Sequence, residues 1–307
     1  MAAGDRWIDL LDPTPQELKS KLPREVHDRA LDQLLAPAQH RDDPRPKLES
    51  HGDYVFGVFL IPVVVPEEDL VFYQEVDAVL TREVLVTVRK SPGEDRPAWH
   101  PKPAQDSCRD SDNTGMMMYH LVDDIAESFL DLVDALNEEI DELEDHVEDW
   151  DADRIRTRLS SLRHDVLHIR RTLAPTRDAM REVVDNRIEF EGDEVFTHDV
   201  ELNFGNAYDK LLRASDNLEF ARDLVGGVRD YHVAKVANDQ NEVMKRLAVI
   251  ATVFLPLAFL TGFWGQNFSY LVLHIETGRT VFWILGVGVE LLAAVCLFAL
   301  IKWRRWL

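Results

Sequence analysis

Two long apolar runs near the carboxyl end dominate the pattern of hydrophobic and polar positions. Residues 247–264 include no charged side chain, and residues 281–301 include only Glu290. About 20 apolar residues are enough for a helix to cross the hydrocarbon core of a bilayer. Lysine and arginine precede the first run and follow the second, whereas the connecting loop holds only Arg279. The pattern predicts a transmembrane hairpin with both termini in the cytoplasm by the positive-inside rule; two buried core helices are the alternative.

A helical period begins at Met116, where apolar residues start to recur every three or four positions, as in a coiled-coil seam. The seam consists of Val122, Ile125, Phe129, Leu132, Leu136, Ile140, Leu143, Val147 and Trp150. Residues 120–153 are acidic and contain no lysine or arginine, whereas residues 154–187 are rich in arginine. We expect an antiparallel pair of helices held partly by charge pairs. Attraction of cations near a pore is an alternative role for the acidic helix.

A further helix is predicted from Thr197, after residues 187–196 interrupt the pattern. No proline occurs between Thr197 and Pro256. One helix can therefore run to Trp264 over about 68 residues, or roughly 100 Å at 1.5 Å per residue. This helix would couple the polar part of the chain mechanically to the first membrane span. Its weakest point, and a candidate bend, is the pair at 226–227, two consecutive glycines.

The first hundred residues predict an α/β unit. Thr14, Pro15 and Glu17 have the N-cap, first-turn proline and capping-box pattern of a helix start. Residues 54–65 are rich in β-branched and aromatic side chains, as in a buried strand, and residues 76–89 are typical of two strands around a short turn.

Proline and polar residues are frequent at 90–115, where we expect a loop or linker. The expected organisation is a cytosolic α/β domain (1–114), a cytosolic helical region with the start of the long helix (115–245), and a transmembrane hairpin with a basic tail (246–307).

Composition narrows the functional classes. The net charge of −22 argues against nucleic-acid binding, which needs a basic face. It suits a surface that concentrates cations, although solubility alone also explains it. Cys108 and Cys296 lie far apart in sequence, so neither a disulfide framework nor a metal motif is expected, and no N-terminal signal peptide is recognised. We therefore expect the polar part to be cytosolic.

The first apolar run ends on an unusual polar triplet, Gly265-Gln266-Asn267. One interpretation is a helix C-cap, since glycine or asparagine in a left-handed conformation often ends a helix. The other is an assembled ring, in which Asn267 from several copies presents neutral oxygens to the waters of a hydrated cation. Such a site suits Mg²⁺, which gives up its waters reluctantly. Gly265 would let the backbone pack closely at the mouth.

The residues around this triplet resemble a known family. The segment NEVMKRLAVIATVFLPLAFLTGFWGQNF, residues 241–268, is similar to the pore helix of CorA-type divalent-cation transporters, whose signature is Gly-Met-Asn. Further similar segments are WIDLLDPTPQEL, RPKLESHGDYVF, VLVTVR and KWRRWL. The resemblance implies a CorA-like pentameric funnel of identical chains, with an α/β cytosolic domain, a long coiled-coil-like helical region and a two-helix transmembrane hairpin.

The resemblance also implies roles for individual positions. Gly265 and Asn267 match the signature, with Gln266 in place of methionine. The positions that would line or gate the pore are Asn241, Met244, Leu247, Ala251, Leu255, Ala258 and Gly262. Met244 and Leu247 would form an apolar constriction that blocks ions by dewetting, although ordinary helix packing also explains these side chains.

Other candidate residues lie outside this stripe. His274 and Glu276 in the outer loop could hold an incoming cation, and a plain polar loop is the alternative. Asp209 lies near Asn206, the position at which the resemblance places a regulatory metal-binding carboxylate. Glu290, an ionisable group within a span, is a functional candidate by default; proton coupling and packing in the protonated form are its two interpretations.

The sequence therefore predicts a homopentameric transporter or channel for hydrated divalent cations in the cell membrane, with Mg²⁺ uptake driven by the membrane potential. Proton-linked Zn²⁺ transport by the same fold, and a membrane-tethered scaffold or sensor without transport, are the alternatives. We expect no enzymatic activity and no cofactor; Mg²⁺ is the expected cargo, with Zn²⁺, Co²⁺ or Ni²⁺ as alternatives. The expected partners are further copies of the chain, divalent cations and the lipid bilayer, but not nucleic acid.

Overall fold

A five-stranded sheet is built from the β-branched and aromatic stretches of the amino-terminal third. The computed structural model describes residues 6–23, 26–38, 45–65, 70–91, 97–190, 195–266, 273 and 278–303. The strands are β1 (Trp7–Leu11), β2 (Lys47–Ser50), β3 (Val55–Val65), β4 (Leu70–Leu80) and β5 (Leu85–Arg89). Their order is β1-β5-β4-β3-β2, with β1 parallel to β5 and the other neighbours antiparallel.

The predicted pair of strands around the turn is confirmed, with one difference at its start. β4 begins at Leu70 rather than at Val76, because its first residues pair with the end of β3, where Leu70 lies opposite Val65. This pairing depends on the partner strand, which a local pattern does not report.

Alternation along the strands divides their side chains between two hydrophobic layers. Phe56 and Val58 pack in one cluster with Leu18 of α1 (Pro15–Lys21) and Leu34 of α2 (Asp28–Leu35). Val55 and Phe59 of the same strand belong to the other cluster, which also contains the seam residues of the long helices. The sheet is therefore covered on both faces.

Local signals set several helix boundaries. The start of α1 is confirmed, since the Thr14 hydroxyl accepts a hydrogen bond from Glu17 N (3.3 Å) and the Glu17 carboxylate accepts one from Thr14 N (2.9 Å). The loop expected over residues 90–115 is partly wrong, because α3 (Lys102–Ser107) lies within it. Pro103 stands in the first turn of α3, where proline is compatible with a helix instead of ending it.

The remaining helices are α4 (Thr114–Asp145), α5 (Ala152–Val184) and α6 (His198–Trp264). The predicted charge pairing between the acidic and the arginine-rich helix is confirmed at Arg158 and Glu139, whose side-chain atoms are 2.6 Å apart. The acidic helix α4 also pairs with α6, where Lys210 Nζ lies 2.8 Å from both the Asp123 and the Glu127 carboxylate.

The single long helix predicted up to Trp264 is confirmed by α6, which has 67 residues and contains Pro256. The chain divides into two compact units, Met1–Arg229 and Asp230–Leu307, and α6 contributes to both. The second unit also contains α7 (Arg279–Val281), the π-helical segment π1 (Phe282–Gly288) and α8 (Val289–Trp303). Two helical stretches, within His198–Phe263 and Arg279–Leu300, are long and apolar enough to cross a membrane.

Candidate ion-conducting site

The predicted pore positions share one face of α6, which we call the pore stripe. It consists of Asn241, Met244, Leu247, Ala251, Leu255, Ala258 and Gly262, each three or four residues from the next. This spacing places side chains on the same side of a helix. All seven are exposed, with Met244 at 65%, Leu247 at 55% and Leu255 at 72%. Within the described residues, the packing of the chain itself does not cover this face.

The opposite side of the same helix is half-buried. It carries Val249, Thr252, Val253, Pro256, Leu257 and Leu260. The second apolar helix also has a half-buried face, with Gly286, Glu290, Ala293, Ala294 and Leu297. Small residues permit the close approach that membrane helices need in order to pack. Both faces belong to the same compact unit, and the pore stripe lies on the side of α6 away from its half-buried face.

The polar triplet begins as a helix terminus. Gly265 N donates to Thr261 O at 2.9 Å and Gln266 N donates to Phe263 O at 3.3 Å, so both residues close the last turn. A glycine cap would give Gly265 a positive φ. Among the described glycines, only Gly52 has a positive φ, so Gly265 does not have the left-handed conformation. A Cβ at Gly265 would lie 3.2 Å from Thr261 O. The described part of the triplet therefore fits a compact turn in which small size matters.

Three further predicted site residues, Asn267, His274 and Glu276, lie outside the described residues. Glu290 is described and is half-buried in the first turn of α8, directly after π1. Its position on the half-buried face separates it from the exposed side of that helix. Proton coupling and protonated packing both remain predictions for this group.

The candidate regulatory carboxylate, Asp209, is exposed on α6, as is Asn206. The next residue, Lys210, joins α6 to α4 through ion pairs with Asp123 and Glu127. Burial lowers the pKa of Lys210, but the hydrogen bonds to these carboxylates outweigh it and raise that pKa overall. Part of the acidic helix is therefore engaged in helix packing, as the structural interpretation of its charge predicted.

No group of three or more histidine, cysteine, aspartate or glutamate side chains is arranged to hold a metal ion within the described ranges. Along the pore stripe, the side chains are apolar or small, apart from Asn241. Such a surface offers no charged or strongly coordinating group to strip an ion of its water, and the apolar constriction at Met244 and Leu247 stays a prediction.

Sequence reasoning missed two polar clusters in the α/β unit. Asp77 and Lys90 are paired at 3.4 Å with side chains 0% and 1% exposed. His27 and His51 bring their rings together with a centroid separation of 5.3 Å. Neither cluster has a local sequence signal, because each joins residues from separate elements. For the pair of Asp77 and Lys90, the one indication in the sequence was an ionisable residue, Asp77, at a buried position of β4.

Comparison with known proteins agrees with this architecture. A family profile described as "CorA-like Mg2+ transporter protein" matches residues 3–303. The cobalt/magnesium transport protein CorA of Thermotoga maritima is 26% identical over 292 residues, which cover 92% of this chain and 77% of that protein. The putative metal ion transporter YfjQ of Bacillus subtilis is 27% identical over 298 residues, covering 95% of this chain and 87% of that protein.

A solved structure gives the same fold. The CorA magnesium transporter from Methanocaldococcus jannaschii matches with a TM-score of 0.79 at 19% identity, over 98% of this chain and 91% of that chain. At this identity, the likeness shows the fold alone. The profile match, in contrast, extends over nearly the whole sequence and confirms the resemblance predicted from the region around the triplet. The chain belongs to the CorA-like Mg²⁺ transporter family, a family of ion transporters and not of enzymes.

Proposed function

We propose that the chain is one subunit of a homopentamer that conducts hydrated divalent cations, with Mg²⁺ as its principal cargo, into the cell. The observation that carries this proposal is the exposed pore stripe on α6, opposite a half-buried face of the same helix. Several copies that turn this stripe toward a shared axis would enclose a path lined by small and apolar side chains. A family of cation transporters supplies the reaction class.

The membrane potential is the proposed driving force. For a doubly charged ion it supplies about 4.6 kcal/mol per 100 mV, twice the value for one charge. The proposed membrane is the cytoplasmic one, with both termini inside the cell. Lysine and arginine lie before the first apolar run and after the second, which is the cytoplasmic side by the positive-inside rule. Outer-mouth selectivity is assigned to Asn267, whose amide oxygen would hydrogen-bond the waters that Mg²⁺ retains.

Substitution of Asn267 by alanine tests this assignment. We expect Asn267→Ala to abolish selective Mg²⁺ entry into proteoliposomes loaded with a fluorescent indicator, while native mass spectrometry still shows a pentamer. Asn217→Ala, an exposed amide of α6 in the other compact unit, is the matched control and should conduct normally. Unchanged Mg²⁺ entry in Asn267→Ala would exclude the amide ring, and a monomeric wild-type particle would exclude the shared axis.

Proton-linked Zn²⁺ transport is a second candidate, favoured by one observation. Glu290 places an ionisable group on the half-buried face of the second apolar helix, and such groups often mark proton paths. Zn²⁺ flux that rises with an inward proton gradient and is lost in Glu290→Gln would support this function over Mg²⁺ conduction. Competition of Mg²⁺ with Zn²⁺, Co²⁺ and Ni²⁺ in the same liposomes ranks the cargo, and absence of flux for every ion would leave a scaffold or sensor.

A further inference from the structure

Two histidines from separate elements meet at the surface of the α/β unit. His27 is the residue before α2, and His51 lies in the turn between β2 and β3. Their ring centres are 5.3 Å apart and their planes meet at 61°. His27 is exposed and His51 half-buried, so solvent reaches the pair. The imidazole of His27 makes no capping hydrogen bond to α2, although its residue occupies the N-cap position.

The surrounding structure fixes both residues through Tyr54, which is 2% exposed. The ring of His51 stacks on that of Tyr54 at 4.7 Å with an interplanar angle of 19°. His27 N donates to the Tyr54 hydroxyl at 3.2 Å. His51 N donates to Tyr54 O at 2.9 Å, which closes the turn. The two imidazoles are therefore held by a buried side chain and by backbone hydrogen bonds.

This separation suits two imidazoles that share one metal ion. With zinc–nitrogen bonds of about 2.0–2.1 Å and tetrahedral geometry, the ring centres of two ligands lie about 5 Å apart. The lone pairs lie in the ring planes, so steeply inclined rings can aim at one point.

The local charge favours a cation. Glu49 in β2 and Asp53 in the turn place one carboxylate two residues before His51 and one two residues after it. Asp28 stands in the first turn of α2, directly after His27. These carboxylates offset the positive end of the α2 dipole, which alone would oppose a cation at this place.

We propose that His27 and His51 form a binding site for a divalent transition-metal ion of the Zn²⁺, Co²⁺ or Ni²⁺ class on the α/β unit. Imidazole nitrogen suits these ions, whereas Mg²⁺ prefers oxygen ligands. Two protein ligands leave the remaining coordination positions to water, in keeping with the lack of a three-residue cluster in the described parts of the chain. The site lies on elements other than α6, so it is independent of the pore stripe and would let the α/β unit register ions that compete with Mg²⁺.

Metal stoichiometry of the full-length protein in detergent tests the site. Equilibrium dialysis against Ni²⁺ in a large excess of Mg²⁺, followed by elemental analysis, counts bound Ni²⁺ per chain while Mg²⁺ occupies oxygen-donor sites. We expect His27→Gln/His51→Gln to bind one Ni²⁺ fewer per chain than the wild type. His146→Gln/His198→Gln, which removes two imidazoles from the ends of separate helices, α4 and α6, is the matched control and should keep the wild-type stoichiometry.

A second readout separates binding from folding. Ni²⁺ should raise the thermal unfolding temperature of the wild type by mass action, and this rise should vanish in the single variant His27→Gln. That substitution replaces an exposed side chain, so its unfolding temperature without metal should equal that of the wild type. An unchanged Ni²⁺ count in the double variant, or an equal loss in the control pair, would overturn the proposal.

Discussion

Lys90 is a lysine buried in the interior of the α/β unit, with 1% of its side chain exposed. Its ammonium group donates to the backbone oxygens of Gln33, Leu34 and Ala36 at distances of 2.8, 2.6 and 2.7 Å. Those three bonds satisfy the carboxyl end of α2 and use the three N–H groups of a lysine. Asp77 Oδ2 lies 3.4 Å from the ammonium nitrogen, and the three N–H groups of Lys90 donate to the carbonyls.

The state of Asp77 follows from this arrangement. Burial, reinforced by the Glu75 carboxylate and opposed by Lys90, raises the pKa of Asp77 to about 8. The pKa of an aspartate in the unfolded chain is about 3.9. At pH values between this pKa and that of the folded chain, Asp77 keeps a proton in the folded chain that it releases on unfolding. Stability from this group is therefore complete at acidic pH and is lost as the pH rises through the pKa of the folded state.

We predict that Asp77→Asn, which cannot ionise, flattens this part of the pH profile. The unfolding temperature of the wild type should fall relative to that of Asp77→Asn as the pH rises from about 5 to about 9. Differential scanning fluorimetry of the purified protein measures both curves. Parallel curves would show that Asp77 keeps the same protonation in the folded and unfolded chain.

At the scale of elements, sequence reasoning succeeded where local signals decide the structure. The capping box at Thr14, the buried strand β3 and the end of α6 at Trp264 all follow from spacing and composition within a few residues. The prediction failed where contacts with another strand or helix decide the structure. The first residues of β4 depend on β3, and the pairing of His27 with His51 depends on the packing of α2 against a turn. The π1 segment also lacked a signal, since its apolar composition equals that of an ordinary span.

The glycine pair within α6 is an element-scale feature with a functional prediction. Gly226 and Gly227 are helical, and a Cβ added at either would meet nothing within 4 Å. Alanine should therefore stabilise the helix by about 0.5–1 kcal/mol at each position. If the pair serves as a bend during opening, Gly226→Ala/Gly227→Ala should slow Mg²⁺ entry and leave ion selectivity unchanged.

Stopped-flow measurement of Mg²⁺ entry into liposomes checks this effect. Gly205→Ala is the control, because Gly205 is also a helical glycine of α6 with open space around it but stands far from the pair in sequence. It should raise the unfolding temperature without slowing entry. Wild-type rates in the double variant would mean that α6 opens the pore without bending at these glycines.

At the scale of the whole molecule, a single chain leaves one face of α6 uncovered. The apolar part of α6 has one half-buried face and one exposed face, and the exposed face carries the pore stripe. A closed symmetric assembly is the arrangement in which identical copies cover identical faces. Each added copy also brings a net charge of −22, so assembly concentrates negative charge and draws cations toward the complex.

The narrowing proposed at Met244 and Leu247 makes the proposed assembly testable by conduction. In a closed pore, these side chains would exclude water and hence hydrated ions. We predict that Met244→Ser, which places a hydroxyl on the pore stripe, raises Mg²⁺ leak into liposomes. Lowering the barrier by about 1.4 kcal/mol would raise the rate about tenfold. Val249→Ser changes a half-buried side chain on the opposite face and should weaken packing without opening the path. An equal leak in both variants would place the ion path elsewhere than along the exposed face of α6.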